Sequence, residues 1–162
     1  PGFDVPGHGL AFNVRSEDAP ASSFWGPLVG RQHAVVPATG FYEWQQRGPG
    51  RVPHFIRRQD GQPMLFAALV ATRHAGDGGP RLCASILTAE PSPAMHGLHD
   101  RMPVFLEPQD VADWLNGGEA AYARLARTPD AGLAIHEVGS RVNRTGEEGE
   151  SLIRPVPKQA RL

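Results

Sequence analysis

Punctuation constrains this chain more than any other feature. Glycine (19) and proline (16) recur throughout its 162 residues. Both interrupt regular structure: glycine by its conformational freedom, proline by its fixed φ and missing N–H. Their density approaches that of low-complexity chains, but no repeat accompanies it, so short elements joined by many turns are expected. That pattern argues against a helical bundle. Hydrophobic residues at 40%, charged residues at 20% and a net charge of −1 place the chain in the globular class and argue against disorder. One domain spanning residues 1–162 suits this length. The longest apolar run, Pro63–Ala71, is too short to cross a bilayer as a helix. No basic start with a following apolar stretch reads as a signal peptide. The single cysteine, Cys83, makes neither an internal disulfide nor a Cys-rich zinc site, which favours a reducing compartment.

Local patterns give the order of elements. Pro1–Gly9 reads as loop and Leu10–Val14 as a short strand. Ser22 or Ser23 is placed to cap a short helix around Phe24–Val29, which Pro27 interrupts. Strands are expected at Ala34–Pro37, Gly40–Trp44, His54–Arg58, Met64–Ala71 and Arg81–Thr88, separated by Gly, Asp and Pro turns. Ser92-Pro93-Ala94 reads as a helix start and Pro103–Leu106 as a strand. Val111, Trp114 and Leu115 fall at i, i+3 and i+4, predicting a helix over Pro108–Asn116 that stops at Gly117. A helix over Glu119–Ala126, a strand over Leu133–Val138, a polar loop over Arg141–Glu150 and a strand over Leu152–Val156 complete the chain. The fold class is α+β, mostly antiparallel β with a few short peripheral helices.

Charge is distributed unevenly. Of the 16 basic residues only Lys158 is lysine, and the rest are arginines, which fork onto phosphates and stack on rings. Arg31 to Gln59 holds five arginines and one acid, Glu43; Glu107 to Glu150 holds nine acids and four arginines. A mixed surface would account for this, and so would an arginine-rich half that faces an anionic partner such as nucleic acid.

Four places combine reactive groups with constraining neighbours. Asn13-Val14-Arg15-Ser16-Glu17 sends polar side chains from a strand end, in the manner of a turn or of a site. In Phe41-Tyr42-Glu43-Trp44, Glu43 faces away from both adjacent rings and shares a face with Phe41. Partial burial there would raise its pKa toward the range of a general acid/base, whereas a solvated face would leave it ordinary. His96 and His99 are three apart, but Gly97 weakens any helix and no third ligand has fixed spacing, which argues against a metal site. His99, with Asp100 and Arg101 beside it, is better placed to orient a substrate. Cys83 lies in an apolar strand and reads as a small buried hydrophobe. No G-x-S-x-G elbow supports a serine hydrolase.

In order, these segments resemble the SRAP family of SOS response-associated peptidases and abasic-site processing proteins. The matching strings are Asn13-Val14-Arg15-Ser16-Glu17, Val36-Pro37-Ala38-Thr39-Gly40-Phe41-Tyr42-Glu43-Trp44, Pro53-His54-Phe55-Ile56, Ile86-Leu87-Thr88 and His99-Asp100-Arg101-Met102-Pro103-Val104, with Arg141-Val142-Asn143 and Ile153-Arg154-Pro155-Val156 in the tail. The resemblance implies a barrel-like β core. It also implies a protein that binds single-stranded DNA and captures abasic sites through an N-terminal cysteine, whose amine and thiol close a thiazolidine. Residue by residue it assigns Asn13 to a hydrogen bond with the linkage, Glu43 to general acid/base work, His99 to the opened sugar, and Arg15 and Arg101 to flanking phosphates. The chain begins at Pro1, so the family's Cys-Gly-Arg start is expected upstream of it. The expectations that follow are no cofactor, no metal, no membrane partner, a monomer, and a cytoplasmic, nucleoid-associated location. Two rival readings are a non-catalytic single-strand-binding module and a thiol peptidase using Cys83.

Overall fold

In the computed structural model, which describes residues 3–5, 9–75, 79–127 and 132–157, the apolar run becomes the strand around which the others are arranged. Strands β1 (Phe3–Val5), β2 (Gly9–Ala11) and β3 (Asn13–Arg15) open the chain. β4 (His33–Ala38), β5 (Phe41–Arg47), β6 (Gly50–Arg58), β7 (Met64–Ala75) and β8 (Gly79–Ala89) follow. Short strands β9 (Met102–Pro103) and β10 (Phe105–Leu106) precede helices α1 (Val111–Asn116) and α2 (Gly118–Leu125), and β11 (Leu133–Glu137) is the last strand. The architecture is α+β and largely antiparallel; β3 runs parallel to β8. Among the described strands there is a two-stranded ribbon, a six-stranded sheet and a three-stranded sheet of order β11-β6-β5, and no closed barrel.

β7 has apolar clusters on both faces. Ala67 and Leu69 join Val14, Trp25, Leu87, Trp114 and Tyr122, while Met64 and Phe66 join Ile56, Met95, Met102 and Phe105. A strand covered on both sides loses the polar alternation of a half-exposed one, so the sequence there is continuously apolar. Each large side chain so buried contributes ~1.5–3 kcal/mol relative to exposure.

Several elements differ from expectation. The expected loop at Pro1–Gly9 contains β1, which pairs with β2; a ladder joins main-chain groups, so weak side-chain propensity does not forbid it. The helix around Phe24–Val29 shrinks to a 3₁₀ turn at Gly26–Leu28, although Ser22 Oγ does accept the Phe24 and Trp25 N–H groups, both at 3.2 Å. The expected strand at Leu152–Val156 is a 3₁₀ turn, Glu150–Ile153, and one bridge from Pro155 to Val138. Proline has no N–H to extend a ladder and restricts the residue before it. The strand at Pro103–Leu106 is split because Val104 changes partners: its N–H donates to Leu87 O at 2.8 Å and its carbonyl accepts from Ala67 N at 2.9 Å. Residues 102–106 therefore form a wedge where β7 and β8 part, with β9 on β8 and β10 on β7. That wedge fixes where the preceding His99-Asp100-Arg101 emerges.

Candidate functional site

The site begins with a close approach of backbone to backbone. A Cβ at Gly40 would lie 2.3 Å from Ile56 O and 2.6 Å from the Phe55 ring, so only glycine lets the chain leave β4 and turn tightly onto β6 as β5. β5 then pairs with β6 in a register that sets Glu43 opposite His54. Alternation puts Phe41 and Glu43 on one face and Tyr42 and Trp44 on the other. Phe41 packs edge-on to Phe66, and Tyr42 packs on Phe55 with centroids 5.3 Å apart. Trp44 Nε1 donates to Asn143 Oδ1 at 2.7 Å, which gives the tail segment Arg141-Val142-Asn143 a structural purpose. The rings beside Glu43 in sequence are thus behind it in space.

Glu43 instead opens into a cavity of about 310 Å³ lined by Asn13, Arg15, Glu43, Thr88, His99, Arg101, Met102 and Pro103. All five residues singled out from the sequence meet here, drawn from β3, β5 and the loop before β9. Thr88, Met102 and Pro103 were quoted only as parts of motifs and join them. Burial in this wall pushes the Glu43 carboxyl above its ordinary value; His99 and a hydrogen bond from the Trp44 backbone pull it down, and Asp100 adds to the rise. His99 Nε2 lies 3.8 Å from Glu43 Oε2. Its Nδ1 is 3.0 Å from the Arg101 N–H, 3.1 Å from Arg101 O and 3.1 Å from Asp100 Oδ1. The backbone of one residue thus offers this nitrogen both a donor and an acceptor. With Nδ1–H donating to Arg101 O, a proton on Nε2 faces an ionised Glu43, and its transfer leaves Nε2 as an acceptor toward a protonated Glu43. A proton can sit on either partner without breaking the support behind the ring.

The two arginines differ sharply. Arg15 is loosely paired with Asp18 at 3.9 Å, and its side chain is 64% exposed. Arg101 is 18% exposed, grips Glu17 with both terminal nitrogens and donates to Thr88 O at 2.6 Å. The arginine-rich stretch is likewise partly neutralised by carboxylates from elsewhere. Arg47 pairs with Glu137 at 3.1 Å, and Arg58 donates to Glu107 at 2.8 Å and to Asp60 at 2.7 Å.

His96 is exposed, and among the described residues no three His, Cys, Asp or Glu side chains converge on a metal-sized point. Cys83 is 4% exposed inside the first apolar cluster and does not line the cavity. A larger cavity, about 1130 Å³, lies beyond Glu17, with Ser16, Ser92 and Tyr122 in its lining. It contains none of Asn13, Glu43 and His99. Chemistry, and not size, selects the smaller one.

Comparison with known proteins finds relatives over most of the chain. The chain is 33% identical over 150 residues to the abasic site processing protein YedK of Escherichia coli (strain K12), covering 89% of this chain and 67% of the relative. It is 34% identical over 147 residues to the abasic site processing protein YoqW of Bacillus subtilis (strain 168), covering 87% of this chain and 65% of the relative. A crystal structure of a protein from Bacteroides thetaiotaomicron superposes with a TM-score of 0.81 at 19% identity, over 89% of this chain and 65% of that one, and shares the fold. The chain spans about two thirds of the length of these relatives. No helix among the described residues is long and apolar enough to cross a membrane. Residues 5–145 match the family described as SOS response associated peptidase, and the chain belongs to that SRAP family.

Proposed function

We propose that this chain carries the proton-handling part of a centre that captures abasic sites in single-stranded DNA. The observation that carries this is the convergence of Asn13, Glu43 and His99 on one small cavity with the exposed Arg15 at its edge. The printed names of the curated relatives support the lesion as substrate.

An abasic sugar in its open form presents an aldehyde. In this reading the nucleophile is an N-terminal cysteine supplied from upstream of Pro1. Its amine adds to the aldehyde carbon, giving a carbinolamine. Loss of the hydroxyl as water leaves an imine, and the thiol then adds to the imine carbon and closes a thiazolidine. Departure of hydroxide is poor unless the oxygen is protonated, and addition of an ammonium is impossible until it loses a proton. Both needs are met by a carboxyl whose pKa is raised toward neutrality. Glu43 takes that part, His99 shares its proton and faces the opened sugar, and Asn13 offers a hydrogen bond to the linkage. Arg15, and Arg101 if it is released from Glu17, hold flanking phosphates. The peptidase of the family's description fits the same groups, since unmasking an N-terminal cysteine requires one peptide bond to be hydrolysed at this place. The associated proposals are a role in the response to DNA damage and action in the cytoplasm.

The test is capture. Full-length protein incubated with an abasic single strand should give an adduct that survives denaturing electrophoresis, less on duplex, and none when the abasic aldehyde is first reduced. A protein that binds single strands but never forms the adduct would leave only a binding module; adduct formation through Cys83 would replace this mechanism.

A further inference from the structure

We infer that Glu17 is a positioning residue: it holds Arg101 away from nucleic-acid phosphate and so keeps the Arg101 peptide, which supports His99, in place. The inference rests on the functional reading above. A continuous set of contacts carries it. Tyr122, buried in the first core cluster, donates its hydroxyl to Ser16 O at 2.8 Å. Ser16 N donates to Thr88 O at 2.9 Å, so the chain is pinned immediately before Glu17. Glu17 then accepts both terminal nitrogens of Arg101, and Thr88 O takes a further hydrogen bond from one of them. A guanidinium held on two sides fixes its own backbone, and that backbone presents N–H at 3.0 Å and O at 3.1 Å to His99 Nδ1.

Arg101 is an unusual phosphate contact as it stands. Its side chain is 18% exposed and its Nε is buried with no hydrogen-bond partner, whereas Arg15 at the same cavity is 64% exposed. Five donors in a fixed fork can satisfy one carboxylate or one phosphate along a given edge, but not both. A DNA phosphate can take the two-nitrogen edge of this guanidinium only by displacing the Glu17 carboxylate. Glu17 therefore weakens binding while it aligns the imidazole. The Arg101 guanidinium holds the Glu17 carboxyl down at about 2, so the clamp remains charged through the neutral range.

Glu17→Gln separates this role from mere stability. The expected result is single-strand binding a few-fold tighter, with a log–log salt slope steeper by about 0.7, one more phosphate contact. Capture of already bound abasic DNA should slow roughly 10–100-fold, the size of effect that ~1 Å misplacement produces. In an Arg101→Met background, Glu17→Gln should add nothing to either quantity. A weaker or unchanged affinity with an unchanged slope overturns the competition, and an unchanged capture rate overturns the positioning. A DNA-free measurement stands apart from the functional reading: the His99 imidazole ¹H–¹⁵N signals should move in Glu17→Gln while amides in the two core clusters stay put. If wild-type protein neither binds single strands nor captures the lesion, the functional reading has failed, and the imidazole signals still decide whether Glu17 positions His99. Static signals would end the proposal.

Discussion

The two walls of the cavity are built by opposite means. Glu43 stands in a seven-residue strand whose whole length is laddered to β6. His99 and Arg101 stand in a connection whose one regular piece is the 3₁₀ turn Pro93–Met95; Arg101 is held by side-chain contacts to a carboxylate 84 residues earlier in the chain, and His99 by the Arg101 backbone. The strand wall is fixed by backbone pairing, so its functional side chain can be changed without moving it. The loop wall is fixed by functional-looking side chains themselves, so changing one moves the others. Substitutions on the two walls should consequently behave differently.

The largest effect belongs to the strand wall. Glu43→Gln keeps the shape and the hydrogen bonding but cannot exchange a proton, so capture should slow by ~10²–10⁴ with single-strand affinity held within a few-fold. The same variant should be more stable than the wild type near neutrality. Burial raises the Glu43 pKa above its ordinary 4.5, so the folded state holds this proton more tightly than the unfolded state does. Its contribution is present below about 4.5 and is lost as pH rises through the folded value. Denaturant titrations should show the variant's advantage at about pH 8 and its disappearance at about pH 4. Loss of both activity and stability at pH 8 would mean that Glu43 is structural and that the strand wall is no more separable than the loop wall.

Arg15→Ala tests the rim between the walls. Exposed and loosely paired, Arg15 contributes little to the fold. Its removal should lower the magnitude of the salt slope by about 0.7 and weaken single-strand binding a few-fold. The capture rate of bound DNA should hold steady. An unaltered slope would place the phosphate path elsewhere on the surface.

The same division explains what the sequence made legible. Alternation along Phe41-Tyr42-Glu43-Trp44 was enough to put Glu43 on Phe41's face, and the strand expected at Met64–Ala71 falls within β7. Residue order also brought Asn13, Arg15, Glu43, His99 and Arg101 forward as a set, because each sits in a short motif of the family. The partner of Arg101 was out of reach. Glu17 lies in a quoted motif, but nothing local distinguishes a carboxylate that clamps an arginine 84 positions away from one in water. The same blindness left the five arginines open to two readings, a mixed surface or a face for an anionic partner; Glu107 and Glu137 come in from distant segments to pair with Arg58 and Arg47. The break at Val104 depends on a change of partner strand, which no window of neighbours contains.

Cys83 should give the smallest effect on capture, and it sharpens the comparison from outside both walls. It lies in β8, whose alternation turns Cys83, Leu87 and Ala89 into the same cluster, and it is 4% exposed. A thiol there has no route to a substrate in the small cavity, since it does not line it. Native protein should therefore react slowly with an alkylating reagent, and denaturant should accelerate the reaction by exposing the strand. Cys83→Ala deletes one heavy atom from a packed interior and should cost ~0.5–1.5 kcal/mol, in the range of other one-group deletions. Full-length Cys83→Ala should still capture abasic single strands at the wild-type rate. Fast alkylation of the native thiol, together with loss of capture in a variant that remains folded, would make Cys83 the nucleophile and move the chemistry off both walls of the cavity.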